Sequence, residues 1–309
     1  MPQFYKSNLM SDKSNAVGVI LTVFNGERHL KSTINSLLSQ SHSNWILYIV
    51  ENASIDNTRK VLQLYNEDTR LNIEFLSENI SRTCALNYGF KLISPEVEYV
   101  MILDDDDILE PKWMEHAVDF LNKEEDIGVL GGWAHVMDEN GNKYDAINAP
   151  AYPELINEMF SYTFPVVHSS LFFRKNIVDL IPGPYDINVS IGQDWDLCIK
   201  LSMITKICVL DKYSISWRRY DKSITGDPGN FLISRMDKLN SLTNGVKCAK
   251  SFQSYFKNRN RRGVENLAIA LLNFRDGNYL KSIYRVLLSI YQSPFSIIFN
   301  NKIIKPRQF

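Results

Sequence analysis

The sequence predicts an α/β fold, an open and mostly parallel β-sheet flanked by helices. Apolar runs of strand length recur through the first third of the chain, at Val17–Phe24, Trp45–Val50 and Tyr99–Leu103, with Ile73–Leu76 a further strand candidate. Between them lie segments whose apolar residues repeat at helical spacing. Strands and helices alternating in this way form parallel sheets with right-handed crossovers, and such sheets bind ligands at the carboxyl ends of their strands.

The elements follow in order. Val17-Gly-Val-Ile-Leu-Thr-Val-Phe is continuously apolar, as a strand buried on both faces must be, and Leu30, Ile34, Leu37 and Leu38 then mark a helix. Trp45–Val50 is the second strand. Asp56 is the expected N-cap of a helix carrying Val61, Leu62, Leu64 and Tyr65. Ile73–Leu76 is a third strand, 83–92 a helix, and Tyr99-Val-Met-Ile-Leu a fourth strand that runs into four consecutive aspartates. Pro111 is placed at the first turn of the next helix, whose apolar face is Trp113, Ala117, Phe120 and Leu121. Beyond Val136 turn signals dominate (Asp138-Glu-Asn-Gly, Pro150, Pro153, Pro165, Pro182-Gly-Pro), and from about Met236 the pattern is helical to the end.

Composition narrows the class. The 309 residues are 45% hydrophobic and 22% charged, which excludes an intrinsically disordered or collagen-like chain. The longest apolar stretches are Val17–Phe24 and Val286–Phe299, the latter broken by Gln292, Ser293 and Pro294, so no membrane-spanning helix is expected. The first residues lack the features of a secretory signal. Cys84, Cys198, Cys208 and Cys248 show neither a C-x-x-C pair nor regular spacing, which argues against a zinc site or disulfide framework and fits a cytoplasmic setting. The net charge of −1 conceals a division. Residues 246–309 carry twelve Lys and Arg against two acids, leaving 22 basic and 33 acidic residues in the remainder.

Two motifs carry chemistry. In Leu103-Asp104-Asp105-Asp106-Asp107, Asp104 and Asp106 point the same way if the segment is extended, and could share one Mg²⁺ or Mn²⁺ with phosphate oxygens. A solvated acidic turn is the competing reading. In Gly192-Gln-Asp-Trp-Asp-Leu, Asp194 beside Trp195 is a candidate base in a partly desolvated pocket, against the alternative of a helix-capping aspartate.

Taken in order, the motifs resemble the inverting family 2 glycosyltransferases, which have the GT-A fold. The opening strand continues through Asn-Gly-Glu-Arg-His-Leu, with Ser36-Leu-Leu-Ser-Gln beyond it, and is similar to that family's first strand, loop and helix. Ile49-Val-Glu-Asn-Ala-Ser-Ile-Asp-Asn-Thr looks like its nucleotide-binding second strand. Asn79-Ile-Ser-Arg-Thr-Cys-Ala-Leu-Asn-Tyr-Gly resembles the segment that closes over the donor, Leu103-Asp-Asp-Asp-Asp its D-x-D motif, and Gly192-Gln-Asp-Trp-Asp-Leu the motif holding the catalytic base.

The resemblance covers roughly residues 15–226 and implies a metal-dependent transfer of a sugar from a nucleotide-sugar, UDP-linked by expectation, to a glycan hydroxyl. It divides the chain into a tail at 1–14, a GT-A domain at 15–226 (nucleotide half 15–136, acceptor half 137–226) and a basic helical region at 227–309. On the donor side it places Thr22, Phe24, Glu27, Glu51, Arg82, Asp104, Asp105 and Arg218, with Asp106 and Asp104 holding Mn²⁺ or Mg²⁺ and Asp194 as general base. His168 and Trp195 are candidate acceptor contacts, with a structural histidine and a core tryptophan as the competing readings.

The chain also departs from the family pattern. Thr22-Val23 stands for Pro-Thr, Glu51-Asn52 for two aspartates, Gln193 for Glu, and Tyr220 for a histidine near the diphosphate. The implied setting is surface polysaccharide, lipopolysaccharide or lipid-linked glycan assembly. For the basic C-terminal region, docking on an anionic membrane surface competes with a helical cap carrying solvated charges.

Nucleic-acid binding is not expected, because no recognition module is present. A P-loop NTPase and a dinucleotide-dependent dehydrogenase lack their glycine motifs. A nucleotidyltransferase, or a silent protein that binds nucleotide-sugars, is the alternative.

Overall fold

The computed structural model describes residues 15–150, 166–189, 191–202 and 204–220. The expected tail, the helical region from residue 227 and the basic segment 246–309 lie outside the described residues.

The elements begin with β1 (Val17–Val23), α1 (Leu30–Leu38), β2 (Trp45–Glu51), α2 (Thr58–Gln63), β3 (Leu71–Phe75), α3 (Arg82–Leu92) and β4 (Tyr99–Ile102). They continue with β5 (Ile108–Leu109), α4 (Trp113–Lys123), β6 (Ile127–Met137), β7 (Lys143–Ile147), a 3₁₀ turn (His168–Ser170), β8 (Phe172–Arg174), α5 (Lys175–Val178), α6 (Gln193–Ser202) and β9 (Lys206–Arg218). Nine strands form one sheet in the order β3-β2-β1-β4-β8-β6-β9-β5, with β7 paired to β6. β3, β2, β1 and β4 are mutually parallel, as expected. The second half is mixed: β8 runs antiparallel to both β4 and β6, while β6 and β9 share a long parallel register.

Two reversals through β8 bring β6, and hence β9, back to the direction of β4. The carboxyl ends of β1, β2, β4, β6 and β9 therefore share one edge of the sheet, and the candidate residues gather there.

Both faces of the sheet are covered, which explains why its inner strands are continuously apolar. Val17, Val19, Leu21 and Val23 of β1 pack with Leu30, Ile34 and Leu37 of α1 and Trp113, Met114 and Leu121 of α4. Ile20 points the other way, to the cluster of Leu86 of α3, Val178 of α5 and Trp195, Leu197 and Leu201 of α6.

Two expected helix starts shift. Asp56 does not cap α2; Asn57 is the N-cap, and the Asp56 carboxylate instead accepts from the Thr58 N–H at 2.9 Å, closing a side-chain turn ahead of the helix. Pro111 precedes α4 altogether, because Lys112 is the N-cap and the first helical residue is Trp113. At α3 the side chain of Ser81 caps the helix, accepting from the Cys84 N–H at 3.2 Å, which sets Arg82 at the first turn.

Candidate active site

At the shared strand edge lies a cavity of about 390 Å³. Its lining comes from the loop after β1 (Phe24, Asn25, Gly26, Arg28, His29), from Arg82 of α3, from Asp104–Asp106 after β4, from Glu139 after β6, and from Trp217, Arg218 and Tyr220 at the end of β9. Gly26 leaves room for the Asp105 carboxylate: a Cβ at this position would meet it at 2.5 Å, and the carboxylate would have to shift.

Asp104 Oδ1 accepts from Arg82 Nη2 at 2.5 Å and from His168 Nδ1 at 3.2 Å. Burial opposes ionisation of Asp104, but Arg82 and His168 outweigh it and hold the carboxyl below its ordinary range. Its neighbours behave oppositely. Burial and then the charge on Asp106 push Asp105 up to about 8, and burial and then Asp104 push Asp106 up to about 6. Arg82 loses hydration by burial, yet Asp104, Asp105 and Asp106 hold its guanidinium above its ordinary value. Its Nε has no protein partner among the described residues, nor has His29 Nε2.

Asp107 is fully buried and braces the site from behind. It accepts from Ser169 Oγ at 2.5 Å and from the Arg218 N–H at 2.9 Å. Arg218 ties the loops together, with Nε donating to the Asp106 carbonyl at 2.8 Å and Nη1 to the carbonyls of Asp138 (3.2 Å) and Glu139 (2.8 Å). Arg28 pairs with Glu139 across the rim. Burial, then the charges of Asp106 and Asp105, push the Tyr220 phenol up to about 12, and it hydrogen-bonds to Asp106.

Six of the residues singled out from sequence thus share one cavity: Phe24, Arg82, Asp104, Asp105, Asp106 and Arg218. Phe24 offers a half-exposed ring at 46% exposure. The others lie elsewhere. Thr22 is half-buried within β1. Glu27 braces the neighbouring loop, accepting from the Asn57 N–H at 2.9 Å. Glu51 is fully buried, its oxygens taken by Arg59 Nε at 2.7 Å and the Ser54 N–H at 2.6 Å, so it holds the 51–54 loop rather than reaching out to a base.

His168 is buried with both ring nitrogens engaged by protein, and it backs Asp104 instead of offering itself to a sugar. Trp195 is fully buried in the core beneath α6, so it presents no ring for stacking. Asp194 is half-buried in the first turn of α6, on the same side of the sheet as α3, and its charge acts on Tyr185 and Cys198.

Of the other lining residues, Asn25, Gly26, Arg28 and His29 belong to the opening motif and Trp217 and Tyr220 to the end of β9, while Glu139 carries no sequence signal for the site. Arg28 and His29 follow Gly26 in the opening motif, but only the pairing of β6 with β9 brings Glu139 to them.

The carboxylates suit a divalent cation in part. Among the described residues no three His, Cys, Asp or Glu side chains converge on a point, so protein alone does not complete a coordination shell. One or two carboxylates with free oxygens, next to cationic groups fit for phosphate, are the donor set that a Mg²⁺-type ion shares with a ligand.

Fold and site together define a GT-A-type glycosyltransferase. The family model for glycosyl transferase family 2 matches residues 18–181, just over half of the chain, and the chain belongs to that family. It is 30% identical over 143 residues to Bacillus subtilis TuaG, named for teichuronic acid biosynthesis, covering 46% of this chain and 56% of that protein. Against two other curated glycosyltransferases, both from Rickettsia, the matched segment spans 32% of one and 85% of the other.

Among solved structures, S. aureus TarS in complex with UDP-GlcNAc superposes with a TM-score of 0.58 at 17% identity, covering 90% of this chain and 91% of that one. The mannosyltransferase PcManGT from Pyrobaculum calidifontis, in complex with GDP-Man and Mn²⁺, gives 0.58 at 14% identity, covering 94% and 88%. At these identities the likeness is one of fold.

Proposed function

We propose that the chain is an inverting, metal-dependent transferase that moves a hexose from a nucleotide-sugar, UDP-linked, to a hydroxyl of a glycan acceptor. The observation that carries this reading is the cavity itself, where Arg82 and Arg218 flank Asp104–Asp106 at the carboxyl ends of parallel strands. A nucleoside diphosphate needs cationic donors, and Arg82 and Arg218 supply them. The exposed Phe24 ring on the cavity wall supports a role in covering the nucleoside. Asp106 and the free oxygen of Asp104 are the proposed holders of Mn²⁺ or Mg²⁺, and Tyr220 orients Asp106 by its hydrogen bond.

A divalent cation bound there stabilises the charge that builds on the departing diphosphate. Asp194 is the proposed general base. It takes the acceptor hydroxyl's proton as the oxygen attacks the anomeric carbon opposite the leaving diphosphate, so configuration inverts. One base suffices, because the diphosphate leaves without being protonated.

TuaG's name and the basic tail support the proposed acceptor, a growing surface polysaccharide or lipid-linked glycan at the inner face of a membrane. Among the described residues no helix is long and apolar enough to cross one. The test separates the two roles. Asp194→Asn should abolish transfer and keep UDP-sugar binding, whereas Asp106→Ala should lose both. Unchanged transfer in Asp194→Asn would remove the base from this scheme.

A further inference from the structure

Behind the cavity, Asp104 is held by groups that the proposed chemistry does not use. His168 Nδ1 lies 3.2 Å from Asp104 Oδ1, and His168 Nε2 lies 2.8 Å from Tyr185 Oη. Both rings are more than nine-tenths buried, and they meet edge to face with centroids 5.8 Å apart. Asn87 of α3 clamps the Tyr185 backbone twice, its Nδ2 donating to the carbonyl at 2.7 Å and its Oδ1 accepting from the N–H at 3.0 Å.

The proton order follows from chemistry. Tyr185 Oη engages Nε2 whichever of the two carries the shared proton, because a phenol hydroxyl both donates and accepts. On the other side the Asp104 carboxylate can only accept, so Nδ1 carries a proton and donates it to Asp104. The opposite tautomer would set a nitrogen lone pair against a carboxylate oxygen.

Two donors, Arg82 and His168, therefore meet on Oδ1, and no described residue donates to Asp104 Oδ2. They differ in kind. Arg82 lines the cavity, so an incoming phosphate competes with Asp104 for its guanidinium. His168 is sealed behind the carboxylate and cannot be drawn away in this manner.

We propose that His168 and Tyr185 are positioning residues that fix Asp104 through Oδ1, so that Oδ2 stays presented to the donor's diphosphate and its cation while Arg82 turns to the phosphate. This rests on the donor-site reading above. The buried pair acts as the supporting layer that orients a ligating carboxylate.

Calorimetric titration of the full chain with UDP and Mn²⁺ tests the proposal, because positioning changes Kd whereas a merely structural role changes the binding-competent fraction. Tyr185→Phe removes one hydroxyl and leaves the ring in the core. It should weaken UDP·Mn²⁺ binding about five- to tenfold at a stoichiometry near one, the loss expected for one hydrogen bond that organises the site. His168→Ala should weaken it further. His168→Asn, which keeps an N–H near the Nδ1 position, should recover most of that loss.

Parent-like Kd values in Tyr185→Phe and His168→Ala, with Asp104→Asn defective, would overturn the positioning role and leave the donor site standing. Parent-like binding in Asp104→Asn as well would remove the donor site, and this inference with it. If His168→Ala does not fold, Tyr185→Phe decides.

Discussion

Replacing Arg218 by Gln loosens the cavity wall where three strand ends meet. Arg218 is 5% exposed, and its side chain donates to the carbonyls of Asp106, Asp138 and Glu139, joining the loops after β4 and β6 to the end of β9. Gln is shorter and uncharged, so it replaces at most one of these bonds. A hydrogen bond from a charged donor contributes about 1.5–3 kcal/mol, and bonds within one network do not add in full. The buried Asp107 and the crowded Asp106 also lose a neighbouring positive charge. Part of the cost is returned, because burial already pulls the Arg218 guanidinium below its ordinary pKa and the freed carbonyls regain water.

The balance is a loss of about 2–4 kcal/mol, or roughly 3–6 °C in Tm at this chain size. Urea unfolding of parent, Arg218→Gln and Arg218→Lys measures it, with Lys intermediate because it keeps the charge without the planar fork. A Gln variant within about 0.5 kcal/mol of the parent would refute the role assigned to this side chain.

Two more expectations concern the loops at the same edge. Burial, then Arg218 and Arg28, lower His29 to about 4, so between pH 6.5 and 4 the unfolded chain takes up a proton that the folded chain refuses, and stability falls as pH falls through that window. His29→Gln should flatten this slope by about 1–2 kcal/mol between pH 7 and 4.5, a value discounted for partial exposure, and identical slopes in paired denaturation curves would contradict it. Ala53 holds φ at 57°, where an L side chain is strained, so Ala53→Gly should stabilise by about 0.5–1 kcal/mol after the greater freedom of unfolded glycine is subtracted. A less stable glycine variant in the same assay would show that the strain is relieved elsewhere.

Most of the first half of the fold was legible because β1, β2 and β4 are buried on both faces and so read as unbroken apolar runs. The aspartates after β4 were legible for the same reason, since charge placed directly after such a strand falls at the sheet edge. What stayed hidden depends on pairing between distant residues. β8 reverses the sheet with only three residues, and β6 meets β9 some eighty residues later in the chain, so Glu139 carried no sign that it would face Arg28.

Adjacency misled at α6. Successive helical residues point about 100° apart, so Trp195 enters the core while its neighbour Asp194 stays half-buried. At Glu51 the departure from aspartate was visible, but Arg59, in the first turn of α2, decides where the longer side chain goes.

Donor turnover tests the assignment of the cavity most directly. Full-length protein incubated with a panel of UDP- and GDP-sugars, with and without Mn²⁺, should release nucleoside diphosphate from at least one UDP-sugar, slowly when no acceptor is supplied. Release should require the divalent ion and disappear in Asp106→Ala. If no nucleotide-sugar is bound or turned over under any of these conditions, the cavity is not the donor site of a glycosyltransferase reaction.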